Sequence, residues 1–142
     1  MRLATLTPRE ASIFACVCDT VVAPRPVLPP VQETDAVEFV DRWLARAPRL
    51  NRVGLRALLY AAELAPRLVG GGGRLRELPA SRRADALARL ERSPRARELV
   101  TLLSGIALLA YYGDEAIMNR VGYDADANVE RGRRLRAAEG RP

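Results

Sequence analysis

Few side chains in this sequence stand where chemistry could use them. The two thiols, Cys16 and Cys18, are two residues apart on a predicted helix, and Asp124 and Asp126 form a D-x-D pair. Helical residues spaced i, i+2 point to different sides, so a disulfide between the cysteines is not expected. Two cysteines are also too few for a structural zinc site by themselves. The aspartate pair lacks the remaining ligands of a calcium loop. The chain has no histidine and no lysine, which removes the imidazole base, the Schiff-base amine and the P-loop lysine. A serine nucleophile would have only carboxylates as bases. The acids lie at helix starts (Glu10, Asp35, Asp114) or among arginines (Glu63, Asp85, Glu91), where capping and solvation account for them. The reading is a non-enzymatic chain with no cofactor or metal of its own. Gly70 to Gly73 is four glycines in a row, but no strand precedes it and its glycines are not spaced as a dinucleotide fingerprint requires, so it reads as an inter-helix loop.

The tyrosines are the other unusual group. Tyr111, Tyr112 and Tyr123, three of the four, gather in one stretch. They fit the rim of a core with hydroxyls reaching water, and equally a contact surface, where tyrosine and arginine concentrate.

The elements that must position these residues are all helices. Leu99 to Tyr112 is fourteen residues without a charge in a chain that is 28% charged. It is too short to span a bilayer, which takes about 20 apolar residues, and apolar all round, so it should be surrounded by other helices. Ser93 and Pro94 are placed to cap and open it, Arg95 and Arg97 to keep its first turn wet, Gly105 to permit a close helix crossing, and Gly113 to stop it. Asp114 should cap a short helix ending at Gly122. Upstream, Thr7-Pro8-Arg9-Glu10 is a capping box that opens a helix to about Val21, with Ile13, Phe14, Val17, Cys18 and Val21 inward and Cys16 off the stripe, at the surface or facing a partner. Val22 to Pro30 should be extended. Thr34 should cap a second helix, Asp35 to about Ala47, with Val37, Val40, Trp43, Leu44 and Ala47 inside. Pro48 opens a third, to about Leu68, burying Leu55, Leu58, Leu59 and Ala62 and exposing Arg52, Arg56, Glu63 and Arg67, with Pro66 kinking or fraying its last turn. A fourth, Ala80 to Glu91, turns Ala84, Leu87 and Leu90 inward.

The 142 residues fit one domain, an all-α bundle of five to six helices around Glu98 to Tyr112, spanning residues 1–127, followed by a basic tail, 128–142, only marginally helical alone. No apolar run precedes the first helix, so no signal peptide and a cytoplasmic location are expected. The formal net charge is +6, all cations being arginine. A small basic nucleic-acid-associated protein is therefore the alternative function, although the arginines are interleaved with acids and no helix-turn-helix or stacking platform is visible.

Four stretches carry a family likeness: L-T-P-R-E (Leu6 to Glu10), C-D-T-V-V-A-P (Cys18 to Pro24), L-P-A-S-R-R-A-D-A-L-A-R-L (Leu78 to Leu90) and A-L-L-A-Y-Y-G-D-E-A-I-M-N-R-V-G-Y-D (Ala107 to Asp124). Together they resemble the gluconate 2-dehydrogenase subunit 3 family, small helical accessory subunits of flavin-dependent GMC-type oxidoreductases. The resemblance implies a non-catalytic subunit in a hetero-oligomer. FAD and the oxidation of an alcohol, sugar or sterol would belong to the larger chain, which the small one helps to fold or stabilise. It also sets two departures: many relatives carry a twin-arginine export signal, absent here, and Ile117 and Met118 replace an aromatic residue often found before G-Y. The candidate contact residues are Tyr111, Tyr112, Asp114, Arg120 and Tyr123, with Cys16 and Asp19 as lesser ones.

Overall fold

The computed structural model describes residues 3–23, 27–94 and 96–140. Seven α-helices make up the described chain: α1 Pro8–Val22, α2 Ala36–Arg46, α3 Arg49–Leu68, α4 Ala80–Arg92, α5 Arg97–Tyr112, α6 Glu115–Arg120 and α7 Ala125–Ala138. Short 3-10 turns at Val31–Glu33 and Leu75–Glu77 join them, and no strand occurs among the described residues. The result is an all-α single-domain bundle. Its two most closely packed helices are α1 and α5, with α2, α3 and α4 around them. Ile13, Phe14, Val17 and Cys18 of α1 meet Leu103, Ala107, Ala110 and Tyr111 of α5 in one core cluster, closed by Val40, Leu44, Leu55, Leu59 and Ile117.

The start of α1 follows its sequence. Thr7 Oγ1 accepts the Glu10 N–H and Glu10 returns a carboxylate to the Thr7 N–H, a complete capping box. Asp41 of α2 fastens the segment before it: its carboxylate accepts the N–H groups of Ala4, Thr5 and Leu6 at 2.7–2.9 Å. The glycine run turns the chain between α3 and α4 with left-handed φ at Gly70, Gly72 and Gly73, a conformation other residues rarely adopt.

Several expectations are corrected. Ser93 does not cap α5; it closes α4, and its carbonyl, not its hydroxyl, accepts the N–H groups of Ala96 and Arg97. Arg95 lies outside the described residues, as do Pro24, Arg25 and Pro26 of the proline-rich connector. Thr34 Oγ1 accepts the Ala36 N–H at 3.4 Å, as a cap would, but it also donates to the Val31 carbonyl at 2.8 Å, and Asp35 is the residue that precedes α2. Trp43 is exposed, because Val37, Val40 and Leu44 fill the space α2 faces. On α4, Ala86 is buried and Ala84 is not. Pro66 lies in the last turn of α3 as expected, and the helix runs on to Leu68 with the proline ring buried, so the turn is not frayed at that point. The tail forms α7, capped by Asp124 on the Ala127 N–H, and the 127/128 boundary falls inside this helix; none of its residues is buried.

Two further corrections concern buried polar groups. Glu63, expected in water, is 1% exposed. It lies four residues after Leu59 and so on the inner side of α3, where Arg76 donates from Nε and Nη2 to its Oε1 at 3.1 and 3.0 Å. Arg76 Nη1 also reaches Ser12 Oγ. Cys16, expected outside, is buried where α1 passes Glu63, Arg76 and Arg83.

Candidate partner interface

The side chains that distinguish this chain lie on and after α5, and the helix has two apolar faces. Leu103, Ala107, Ala110 and Tyr111 are buried. Leu102, Gly105, Leu108, Leu109 and Tyr112, on the other side, are exposed, Leu109 at 63%. The helix read as surrounded is therefore covered on one side only. Gly105 belongs to the open side: a Cβ built there would meet nothing within 4 Å, so no crossing among the described residues requires the glycine. It leaves instead a shallow place in an apolar strip that another helix could approach closely.

The two adjacent tyrosines separate because successive helical residues diverge by about 100°. Tyr111 is 0% exposed, and its hydroxyl donates to the Pro29 carbonyl at 2.6 Å. Burial, with the neighbouring Tyr112 and other groups, raises its pKa above the ordinary phenol value. It thus pins the connector before α2 to α5 and presents no surface to a partner. Tyr112 stands edge-on to it, 5.2 Å between ring centres, with its other side in solvent.

Asp114 works within the fold. Its Oδ1 accepts the Ala116 and Ile117 N–H groups, opening α6, and its Oδ2 accepts the Asp35 N–H at 3.1 Å, tying α6 to the start of α2. Burial raises its pKa, but these N–H donors outweigh burial and hold it below the usual carboxylate value. Arg120 reaches the Val27 carbonyl at 3.4 Å and remains exposed. Tyr123 is exposed after the Gly122 turn, where φ is +71°. Of the five candidates, Tyr112, Arg120 and Tyr123 thus offer solvent-facing atoms, Asp114 is half-buried and committed to capping, and Tyr111 is core. Of the lesser two, Cys16 is buried and Asp19 lies 3.8 Å from Arg83.

Leu102, Leu108 and Leu109 are surface residues that sequence reasoning missed. A signal existed: 102, 105, 109 and 112 repeat at steps of three and four, parallel to the buried set 103, 107 and 110. Both sets are apolar, so nothing in composition says which faces in. Among the described residues no group of three or more His, Cys, Asp or Glu side chains could hold a metal ion. Nor is any helix among them long and apolar enough to cross a membrane. No family model, curated protein or solved structure matches the chain.

Proposed function

We propose that this chain is the non-catalytic small subunit of a hetero-oligomer, docking on a larger FAD-dependent GMC-type dehydrogenase or oxidase of an alcohol, sugar or sterol and keeping it folded. The observation that carries the reading is the open apolar side of α5, Leu102 to Tyr112. It runs into Ala107 to Asp124, the stretch in which the family likeness is most specific. Water does not favour a strip of this kind, and exposed apolar patches of several hundred Å² mark interaction sites. A stable complex would bury at least ~1,200 Å² in total. The proposed anchors on this side are Leu109 and Tyr112, with the exposed Arg120 of α6 and Tyr123 after it as further contact residues.

The test is co-expression with a neighbouring flavoprotein of that class, followed by size exclusion with flavin absorbance. The chain should co-elute with a yellow partner that is insoluble alone. The double variant Tyr112→Ala/Tyr123→Ala should stay folded and lose most co-purification. A partner that is soluble and active alone, and elutes apart from the chain, refutes the reading. α7 favours one second reading, nucleic-acid association, because it exposes Arg131, Arg133, Arg134 and Arg136 on a helix with nothing buried. Binding of that kind would collapse between about 50 and 200 mM salt, whereas an apolar interface would tolerate it.

A further inference from the structure

A second apolar track faces solvent along α3. Leu50, Gly54, Ala57, Ala61, Leu64 and Leu68 follow one another at steps of four and three residues, and all six are exposed. That spacing keeps side chains on one side of a helix. At 1.5 Å per residue the track is about 27 Å long. Its middle is small: a Cβ added at Gly54 would meet nothing within 4 Å, and two alanines follow. Towards its end, Ala61 and Leu68 form part of the wall of an apolar cleft of about 100 Å³ between α1, α3, α4 and α5, with Val17, Leu87 and Leu103 deeper in. A dry cavity of about 150 Å³ takes a benzene ring, so this cleft is in the range of one side chain.

The charge beside the track has one sign. Arg49, Arg56 and Arg67 each precede a track residue by one position and so lie along the same edge, and Arg9 of α1 sits over the Tyr60 ring on that edge, 5.5 Å from its centre. The one carboxylate on α3, Glu63, is buried against Arg76. Arg56 is paired with Glu10 at 3.2 Å, but Arg9, Arg49 and Arg67 have no ion-pair partner among the described residues.

We propose that this track is a docking site for an amphipathic helix of a partner protein, with aspartate or glutamate flanking its apolar stripe and one bulky apolar side chain entering the cleft at Ala61 and Leu68. A second copy of this chain would set arginines against arginines, which costs affinity. Nucleic acid would satisfy the arginines but lay phosphates and sugars across leucines. A bilayer surface favours large apolar side chains that insert as a wedge, whereas glycine and alanine in the middle of the track make a groove that a second helix backbone can enter.

The proposal is independent of the flavoprotein reading, and its test uses neither flavin nor the α5 residues. The full chain is titrated calorimetrically with two 22-residue helical peptides. Both carry leucine at heptad apolar positions; one is flanked by glutamate and the other by lysine. The glutamate peptide should bind one to one and at least tenfold tighter than the lysine peptide. Leu64→Asp should weaken it at least tenfold. Arg49→Glu/Arg67→Glu, at exposed positions that the fold does not use, should reverse the preference. Equal binding of the two peptides, or no binding of the glutamate peptide, overturns the proposal. So does a dimer in sedimentation that Leu64→Asp disperses, or binding to phosphatidylglycerol vesicles that the glutamate peptide does not compete away.

Discussion

Replacing Asp41 with asparagine tests the tightest polar fastening in the fold. Asp41 is 4% exposed; its Oδ1 accepts from Thr5 and Leu6, and its Oδ2 accepts from Ala4. Asparagine keeps one acceptor oxygen and points an NH2 at the Ala4 N–H, so one bond is lost outright and two become neutral. Bonds to a charged acceptor contribute about 1.5–3 kcal/mol each and neutral ones about 1. The expected loss is therefore about 3 kcal/mol, or about 10 °C in Tm at roughly 3 °C per kcal/mol. The pH dependence follows from the same contacts. Burial raises the Asp41 pKa, but the three N–H donors outweigh it and leave the folded value below the usual one. As pH falls the unfolded chain takes up its proton first, so the stabilisation is complete above about pH 4. It is lost as pH drops through the folded value. Asp41→Asn lacks this dependence, so the gap between the two proteins should be widest at neutral pH and narrow as pH falls through the folded value. Thermal unfolding by circular dichroism across that range reads the global effect, and hydrogen exchange at the Thr5 and Leu6 amides reads the local one. A variant that melts within 2 °C of the parent at pH 7, with unchanged exchange at those amides, refutes the reasoning.

Three other expectations concern stability and reactivity. Gly105→Ala should stabilise the isolated chain by up to about 1 kcal/mol, since the position is helical and open, and should weaken partner co-purification if α5 is the docking face. Gly113→Ala should destabilise it by about 1–3 kcal/mol, because its Cβ would lie 2.6 Å from the Leu109 carbonyl oxygen; urea unfolding of both variants gives the signs. Burial pushes the Cys18 thiol up to about 12, and burial also raises that of Cys16. Iodoacetamide at pH 8 should therefore leave both unmodified until the protein is unfolded, as mass spectrometry would show.

Helix existence was legible wherever a cap or breaker carried its own mechanism. Thr7 with Glu10, Asp114 before α6 and the glycine run could each be read because proline, glycine and short polar side chains act on the backbone beside them. Phase was legible where polar residues mark an outer face, as on α1 for all but Cys16, which is buried. It failed on α5, where leucines on both sides leave no polar marker, so Tyr111 and Tyr112 could not be told apart. Glu63 was misread for the opposite reason: its charge suggested water, while its register with Leu55 and Leu59 placed it inside, and Arg76, thirteen residues away, makes that tolerable. α7 was read as a tail because helix propensity alone is marginal at that length. That one side of α5 stays open to solvent was not legible, since an exposed leucine and a buried one are the same letter.

The contacts that tie the two ends of the bundle together have a consequence for how the chain is made. Cys18 to Ala107, Asp35 to Asp114, Tyr111 to Pro29 and Arg120 to Val27 join residues 79 to 93 positions apart. Translation adds about 5–20 residues per second, so Ile13, Phe14 and Val17 wait several seconds before α5 emerges to cover them. Folding of this bundle is completed only after α5 and α6 have emerged, by closing a long loop whose entropy must be spent first. During that interval the nascent protein displays an uncovered α1, and it is then that a holding chaperone has the most apolar surface to grip.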